Sequence, residues 1–431
     1  MIVQFYKYAL AAVLLVLPSL GLTDELNGAN TSWILTSTAL VLFMTIPGLS
    51  LFYAGLVRSK NVLSVLMQCF AITCVSSISW VVFGYSMSFS DGGSFNQWMG
   101  SITQNLFLSD VSRASMSGDI PETVFLMFQM TFAVITPALV IGAFAERMKF
   151  SAVLWFTVLW SAVVYYPVCH WIWGGGWLSD KGTLDFAGGL VVHITAGVGA
   201  LVAAIVLGAR HGFPQTPLPP HNMTMTVTGA GMLWVGWFGF NGGSALAANG
   251  DAGMAILVTH ISAAVASVTW MTIEWVKYGK PSVLGIVTGM VAGLGSITPA
   301  SGFVGPMGAI VIGLSAGIIC FSATNFMKRT LRIDDSLDVF PVHGVGGIIG
   351  SLLVAVFIAS QYGGAGLAED MTIADQFGVQ LTAVMSVIIW TAVASYVILR
   401  VIEMICGLRV NDEIERNGLD ISEHEEKGYN I

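Results

Sequence analysis

The stretch Asp185-Phe-Ala-Gly-Gly-Leu-Val-Val-His193-Ile-Thr-Ala-Gly-Val-Gly199 decides the fold. An acid opens an apolar, glycine-rich run, and a histidine follows eight residues later with no other ionisable group in the run. Read as one helix, a rise of about 1.5 Å per residue puts His193 about 12 Å below Asp185. Such a depth lies inside a bilayer if the run spans one. An ionisable side chain there costs about 2.5 kcal/mol or more, so it is a functional candidate by default. His343 sits in a second stretch of the same kind, Asp338-Val-Phe-Pro-Val-His343-Gly-Val-Gly-Gly347. The two histidines are expected to meet.

Composition supports the membrane reading. The chain has 431 residues, 55% of them hydrophobic and 10% charged, with mean hydropathy +0.78. Globular chains carry about 25% charge. The 49 glycines and 13 tryptophans suit closely packed membrane helices with interfacial aromatics. The formal charge of -8 is a weak guide, since most charge falls between apolar runs and in the acidic end. Cys69, Cys74, Cys169, Cys320 and Cys406 lie in or beside apolar runs without metal-type spacing, and read as small packing residues. No P-loop, nucleophile elbow, zinc or nucleic-acid signature is present, so the chain does not read as an enzyme.

Apolar runs long enough to span follow at 32–56, 63–89, 123–145, 152–172, 188–208, 223–243, 253–276, 282–298, 305–326, 342–360 and 377–405. Ahead of them, Lys7, the short apolar run Tyr8 to Leu17 and Pro18-Ser-Leu-Gly21 match a basic n-region, an h-region and a cleavage site. Residues 1–21 are therefore expected to be a signal peptide. Basic residues follow the odd-numbered runs: Arg58 and Lys60, Arg147 and Lys149, Arg210, Lys277 and Lys280, Lys328 with Arg329 and Arg332, then Arg409. The alternate gaps hold only Arg113 and Lys181. Basic loops face the cytoplasm. The expected architecture is an all-α integral membrane protein with eleven transmembrane helices, N-out and C-in.

Eleven spans divide into two five-helix halves and an extra helix. An odd number per half inverts the second half against the first, as in many transporters, with the site at the interface between halves. His193 on the fifth run and His343 on the tenth occupy equivalent places. Facing imidazoles can share one proton, and burial disfavours charging both. Haem ligation is the competing use of two such histidines, but it calls for a large cavity and basic groups for the propionates.

Aromatics gather at ends of runs that the topology places outside. Trp173 closes Cys169-His-Trp-Ile-Trp173. Phe128 and Phe132 lie one turn apart in Phe128-Gln-Met-Thr-Phe132. Trp237, Phe240 and Ser244 follow one another in Trp237-Phe-Gly-Phe240-Asn-Gly-Gly-Ser244. Taken singly these are interfacial or packing residues; together, ring faces and one hydroxyl can hold a small cation. Asp185 reads first as a helix cap and second as an electrostatic pull on that cation. Glu146-Arg147 reads as an interfacial ion pair, and Asp334, Asp335 and Asp338 as stabilisers of the tenth helix's N-terminus. By composition alone, 407–431 is a solvated acidic end. His170 and His260 receive no role.

In order along the chain, Thr45-Ile-Pro-Gly48 with Phe52-Tyr53, Phe128-Gln129 through Glu146-Arg147, His170 to Gly176, Asp185 to His193, Gly236 to Ser244 and Asp338 to Gly347 form a specific set. With it, residues 32 to 431 resemble the Amt/Mep/Rh ammonium transporter family, in its Amt branch. The resemblance implies a homotrimer in the inner (plasma) membrane, with one pore per subunit taking up ammonium, or its analogue methylammonium, and no cofactor. It implies that Trp173, Phe132 and Ser244, with Phe128 behind, recruit the ion. Phe132 and Phe240 would then be the gate, His193 and His343 with Trp237 the pore lining, and Asp185 a structural and electrostatic support. It makes 32–406 the membrane domain and 407–431 a cytoplasmic regulatory tail, open to a PII-type signal protein. Glu425, where that tail usually has glycine, Gly428, where alanine is common, and Pro341 depart from the pattern. An ammonium sensor that signals through its tail with little flux is the alternative function.

Overall fold

The computed structural model describes residues 25–429, so the expected signal peptide over 1–21 lies outside the described residues. The chain forms long helices α1 (Gly28–Leu56), α2 (Ser59–Phe89), α3 (Glu122–Phe144), α4 (Phe150–Asp180), α5 (Gly189–Leu207), α6 (Met223–Gly243), α7 (Gly250–Tyr278), α8 (Val283–Ile297), α9 (Pro306–Leu331), α10 (Phe340–Phe357) and α11 (Ile373–Cys406). Among the described residues, nine of these are long and apolar enough to cross a membrane. Helix α8 is shorter, at 15 residues, and α6 is long enough but diluted by glycine and threonine. A small hairpin, Met116–Ser117 with Ile120–Pro121, precedes α3.

Local chemistry sets many of the starts. Asn27, Asn222, Asn249 and Ser282 accept from backbone N–H groups in the first turns of α1, α6, α7 and α8. Thr372 and Asp375 close a reciprocal capping box on α11. Burial then sorts the helices: 89% of the most apolar window of α3 is buried, against 39% for α11. Helix α3 is therefore central, and α11 keeps an apolar face turned outward, with Ile389, Val393 and Val397 exposed.

Helix α5 begins later than the sequence spacing suggests. Residues 185–188 are not helical, Gly188 holds φ +115°, and the helix opens at Gly189 with a π turn, Gly189–Ile194. His193 is thus four residues into the helix rather than eight, and the 12 Å rise does not apply. Helix α10 opens with the same device, a π turn over Phe340–Gly344 that carries His343. The two helices touch where both lack a side chain. A Cβ on Gly197 would stand 2.3 Å from the Gly344 Cα, so only glycine allows this approach.

The C-terminal end is docked, which corrects the expectation of a solvated acidic tail. Short helices α12 (Asp412–Asn417) and α13 (Leu419–His424) fold back on the loops α1–α2, α3–α4 and α5–α6. Val410 donates to Arg147 O at 3.0 Å, Leu419 donates to Asn61 Oδ1 at 2.8 Å, and His211 donates its backbone N–H to Glu415. Asn61 makes no side-chain cap on the α-helical part of α2, which begins at Val62; Asp420 supplies the cap instead, accepting from Leu63 and Ser64 N–H at 3.1 and 2.8 Å. Tyr429 meets His221 at 2.9 Å. Two departures from the family pattern fall at demanding positions. Glu425 holds φ +57°, the left-handed region that favours glycine, and a Cβ on Gly428 would lie 2.4 Å from a Val62 methyl. Asp420→Ala removes the cap, and the expected loss is about 0.5–2 kcal/mol of local stability. Faster protease cleavage within 407–429 in the intact protein measures it; an unchanged cleavage rate would mean the tail is held by its other contacts alone.

Candidate functional site

The histidines meet. His193 Nδ1 and His343 Nδ1 are 3.3 Å apart, and the ring centroids are 5.2 Å apart at 23°. One nitrogen of that pair must carry the hydrogen and the other accept it, so a neutral pair holds one proton on the line between them. His193 also stacks on Trp237, at 5.5 Å and 25°, and on Phe240, at 6.1 Å and 18°. Trp237 is fixed in turn by donating its indole N–H to Thr298 Oγ1 at 2.9 Å. His193 Nε2 is buried with no hydrogen-bond partner.

Two cavities are lined by residues of this pair, and a third lies beyond the contact of Phe132 with Phe240. The distal one, at the end away from the docked tail, has about 300 Å³ and is lined by Phe89, Phe125, Gln129, Phe132, Ile172, Trp173, Phe186, Ser244 and Leu246. A chamber of about 10 Å³ lies next, between Phe240 and the two histidines, walled by Met44, Leu49, Phe52, Ile135, Leu139, Val192, Leu233 and Val291. That volume is about one water-sized sphere. The tail-side cavity, about 120 Å³, begins at His343, Phe52 and Val291 and opens among Tyr53, Thr288, Lys328, Ser336 and Asp338. Phe132 and Phe240 separate the distal cavity from the chamber, with centroids 4.4 Å apart at 47°. They are in contact but tilted, not parallel as a stack would be.

The other expected residues fall around the distal cavity. Trp173 stands edge-on to Phe132, with centroids 5.8 Å apart, and donates its indole N–H to the Asp185 carbonyl at 2.8 Å. Phe128 packs behind Phe132 at 5.0 Å and does not line the cavity. Ser244 Oγ donates to Phe240 O at 2.8 Å, which leaves its lone pairs free to accept. Asp185 is a cap of unusual completeness. Its carboxylate accepts from the N–H groups of Gly188, Gly189, Leu190 and Val191, at 2.6 to 3.1 Å. The acceptors at the head of α5 are thereby committed to backbone, and Asp185 holds the turn that aims His193.

The charged residues at the tail end pair differently from expectation. Glu146 and Arg147 do not bond to each other. Glu146 sits at φ +74° and accepts from Arg58 N and Nε, Asn61 Nδ2 and Arg210 NH1. Arg147 donates to Ala143, Ala145, Gly208 and Asp334 carbonyls and to Ser336. Asp334 binds Arg210 at 2.9 Å and Asp338 binds Lys328 at 2.7 Å; only Asp335 serves the N-terminus of α10, accepting from Phe340 N–H at 2.7 Å. Chain order hides the partners of Glu146 and the Arg210–Asp334 pair, because those bonds join loops far apart in sequence. His170 is a structural residue, its ring held between Ser88 O and Asn96 O. Gln129, Phe89, Phe125 and Phe186 are lining residues that sequence reasoning left without a role; the sole signal for Gln129 is its place three residues before Phe132.

A porphyrin does not fit between imidazoles whose nitrogens stand 3.3 Å apart, so the geometry removes the haem reading. What remains is a helical membrane protein with a small apolar chamber beside its paired histidines and wider, more polar cavities on either side: a transport protein for a small solute. The family description "Ammonium Transporter Family" matches residues 32–429. An ammonium transporter of Aquifex aeolicus is 44% identical over 408 residues, covering 94% of this chain and 95% of that protein. Among solved structures, a protein called Sensor Amt Protein superposes with TM-score 0.86 at 32% identity, covering 92% of this chain and 98% of that one. Mep2 of Saccharomyces cerevisiae superposes with TM-score 0.83 at 36% identity, covering 91% and 90%. The chain belongs to the ammonium transporter family, and is a transporter rather than an enzyme.

Proposed function

We propose that the protein takes up ammonium across the inner (plasma) membrane as a multi-pass homotrimer with one path per subunit. Ammonium docks in the distal cavity between Trp173, Phe132 and Ser244, loses its proton near the Phe132–Phe240 gate, and crosses as ammonia past His193 and His343. The carrying observation is the chamber of about 10 Å³ between Phe240 and His343. It admits one small molecule without a hydration shell. A bare ion in an apolar chamber costs far more than neutral ammonia. Potassium is similar in size but has no proton to shed, so the same barrier supplies selectivity. The proton either passes along the facing imidazoles or returns outside.

All eleven helices span in this reading, with the distal cavity outside and the docked tail inside. The gathering of Arg58, Arg147, Arg210 and Arg409 at the tail end supports that orientation. The matching π turns in α5 and α10, each carrying a histidine, support two inverted five-helix halves. The tail, 407–431, is the regulatory segment and the surface for a PII-type partner. A sensor reading draws on the likeness to the Sensor Amt Protein.

The wild-type protein in proteoliposomes decides between these. An inward ammonium gradient is expected to give flux, with potassium giving none. Flux with current means that the proton crosses, and flux without current means neutral conduction. No flux, with ammonium-dependent exposure of the tail, would replace the transporter with the sensor.

A further inference from the structure

We propose that Gln129 is a second hydrogen-bond acceptor for the ion in the distal cavity, completing with Ser244 the polar half of a site whose other half is aromatic. The proposal rests on the recruitment reading above. Gln129 lies three residues before Phe132 on α3, so both side chains leave the same face of the helix, and both line the cavity. It is 8% exposed, and its amide oxygen is buried without a hydrogen-bond partner. A buried carbonyl oxygen is normally paired; this one is shielded as it stands, and turning the amide about its last bond presents the oxygen to the cavity that Gln129 lines, where a ligand with N–H or O–H groups would pair it.

The remaining lining has little to offer such a ligand. Its polar side chains are Gln129, Ser244 and Trp173. The Trp173 N–H is a donor already given to Asp185 O, and the Ser244 hydroxyl hydrogen is given to Phe240 O. An ammonium ion brings four N–H donors and no acceptor. The ring faces of Phe132 and Trp173 attract its charge but give weak direction. Ser244 can accept one N–H, and the Gln129 amide, free to turn about its last bond so that oxygen and nitrogen exchange places, can accept a second. A neutral amide also avoids holding the ion too tightly: a carboxylate at this position would bind the cation and slow its departure towards the gate.

The test uses the full-length protein in proteoliposomes, with ammonium-dependent flux read as half-saturating concentration and maximal rate. Gln129→Leu keeps the volume and removes the acceptor. It is expected to raise the half-saturating concentration about tenfold, with the maximal rate retained. Gln129→Glu is expected to lower the half-saturating concentration and slow the maximal rate. Ser244→Ala separates the two levels of the argument. If it raises the half-saturating concentration while Gln129→Leu leaves it unchanged, Gln129 is not a ligand and the recruitment site stands without it. If neither substitution shifts it, the recruitment reading fails and this proposal with it. Should Gln129→Leu not fold, an unchanged half-saturating concentration in Gln129→Glu overturns the proposal.

Discussion

Proteoliposomes carrying the His193→Ala/His343→Ala double variant are expected to lose the ammonium-evoked current of the wild type. The chamber wall is apolar except for the two imidazoles and Trp237, whose N–H is already given to Thr298. Removing the imidazoles leaves a small, dry, apolar gap with nothing to share or pass a proton, and such cavities stay empty of water. Two hydrogen-bonding groups lost, at about 1.5 kcal/mol each, correspond to a reduction of about a hundredfold. Residual neutral flux without current would locate the histidines on the proton's route and not on ammonia's. A double variant that runs as the same oligomer and still carries wild-type current would remove the pair from the mechanism.

Glu146→Ala is expected to be the most destabilising single substitution at the tail end of the bundle. The Glu146 side chain is fully buried and Arg210 nearly so, at 7% exposure, while Arg58 is partly open at 23%. Removing the shared carboxylate leaves Arg210 with Asp334 alone and Arg58 and Asn61 without their acceptor. Breaking a buried pair in this way costs about 3–5 kcal/mol. The melting temperature of the detergent-solubilised protein checks it, with Arg58→Ala as the milder comparison because its guanidinium keeps some water. An unchanged melting temperature in Glu146→Ala would show that the cluster is held by backbone contacts instead.

The same cluster gives a pH dependence of definite sign. Burial acts to raise the Glu146 carboxyl, but Arg210 and Arg58 outweigh it and hold the group below the ordinary range; at Asp334, Arg210 and Arg147 likewise outweigh burial. Folded values below unfolded ones mean that the stabilisation is present above about pH 4 and is lost as the pH falls through the folded values. Acid should therefore loosen the tail-side loops, and should do so less in the Glu146→Ala protein.

The sequence by itself determined whatever depends on neighbours along the chain. Runs of apolar residues of spanning length place most helix ends to within a few residues, since length and hydropathy are local properties; the end of α4 is eight residues off. Glycines flanking His193 and His343 announce a close approach, and the Asp185 cap follows from an acid ahead of Phe-Ala-Gly-Gly. Tertiary structure alone decided what depends on distant partners. Glu146 neighbours Arg147 in sequence yet bonds to Arg58 and Arg210, because a left-handed turn at Glu146 points the carboxylate at loops from other helices. The acidic composition of the tail says solvated, but Asp420 finds two unpaired N–H groups at the start of α2, and that match of charge to helix end is invisible in composition. The chamber is the furthest from sequence. Its size is set by how Phe240, Leu233, Val291 and His343 pack from three helices, and periodicity within any one of them carries no record of that distance.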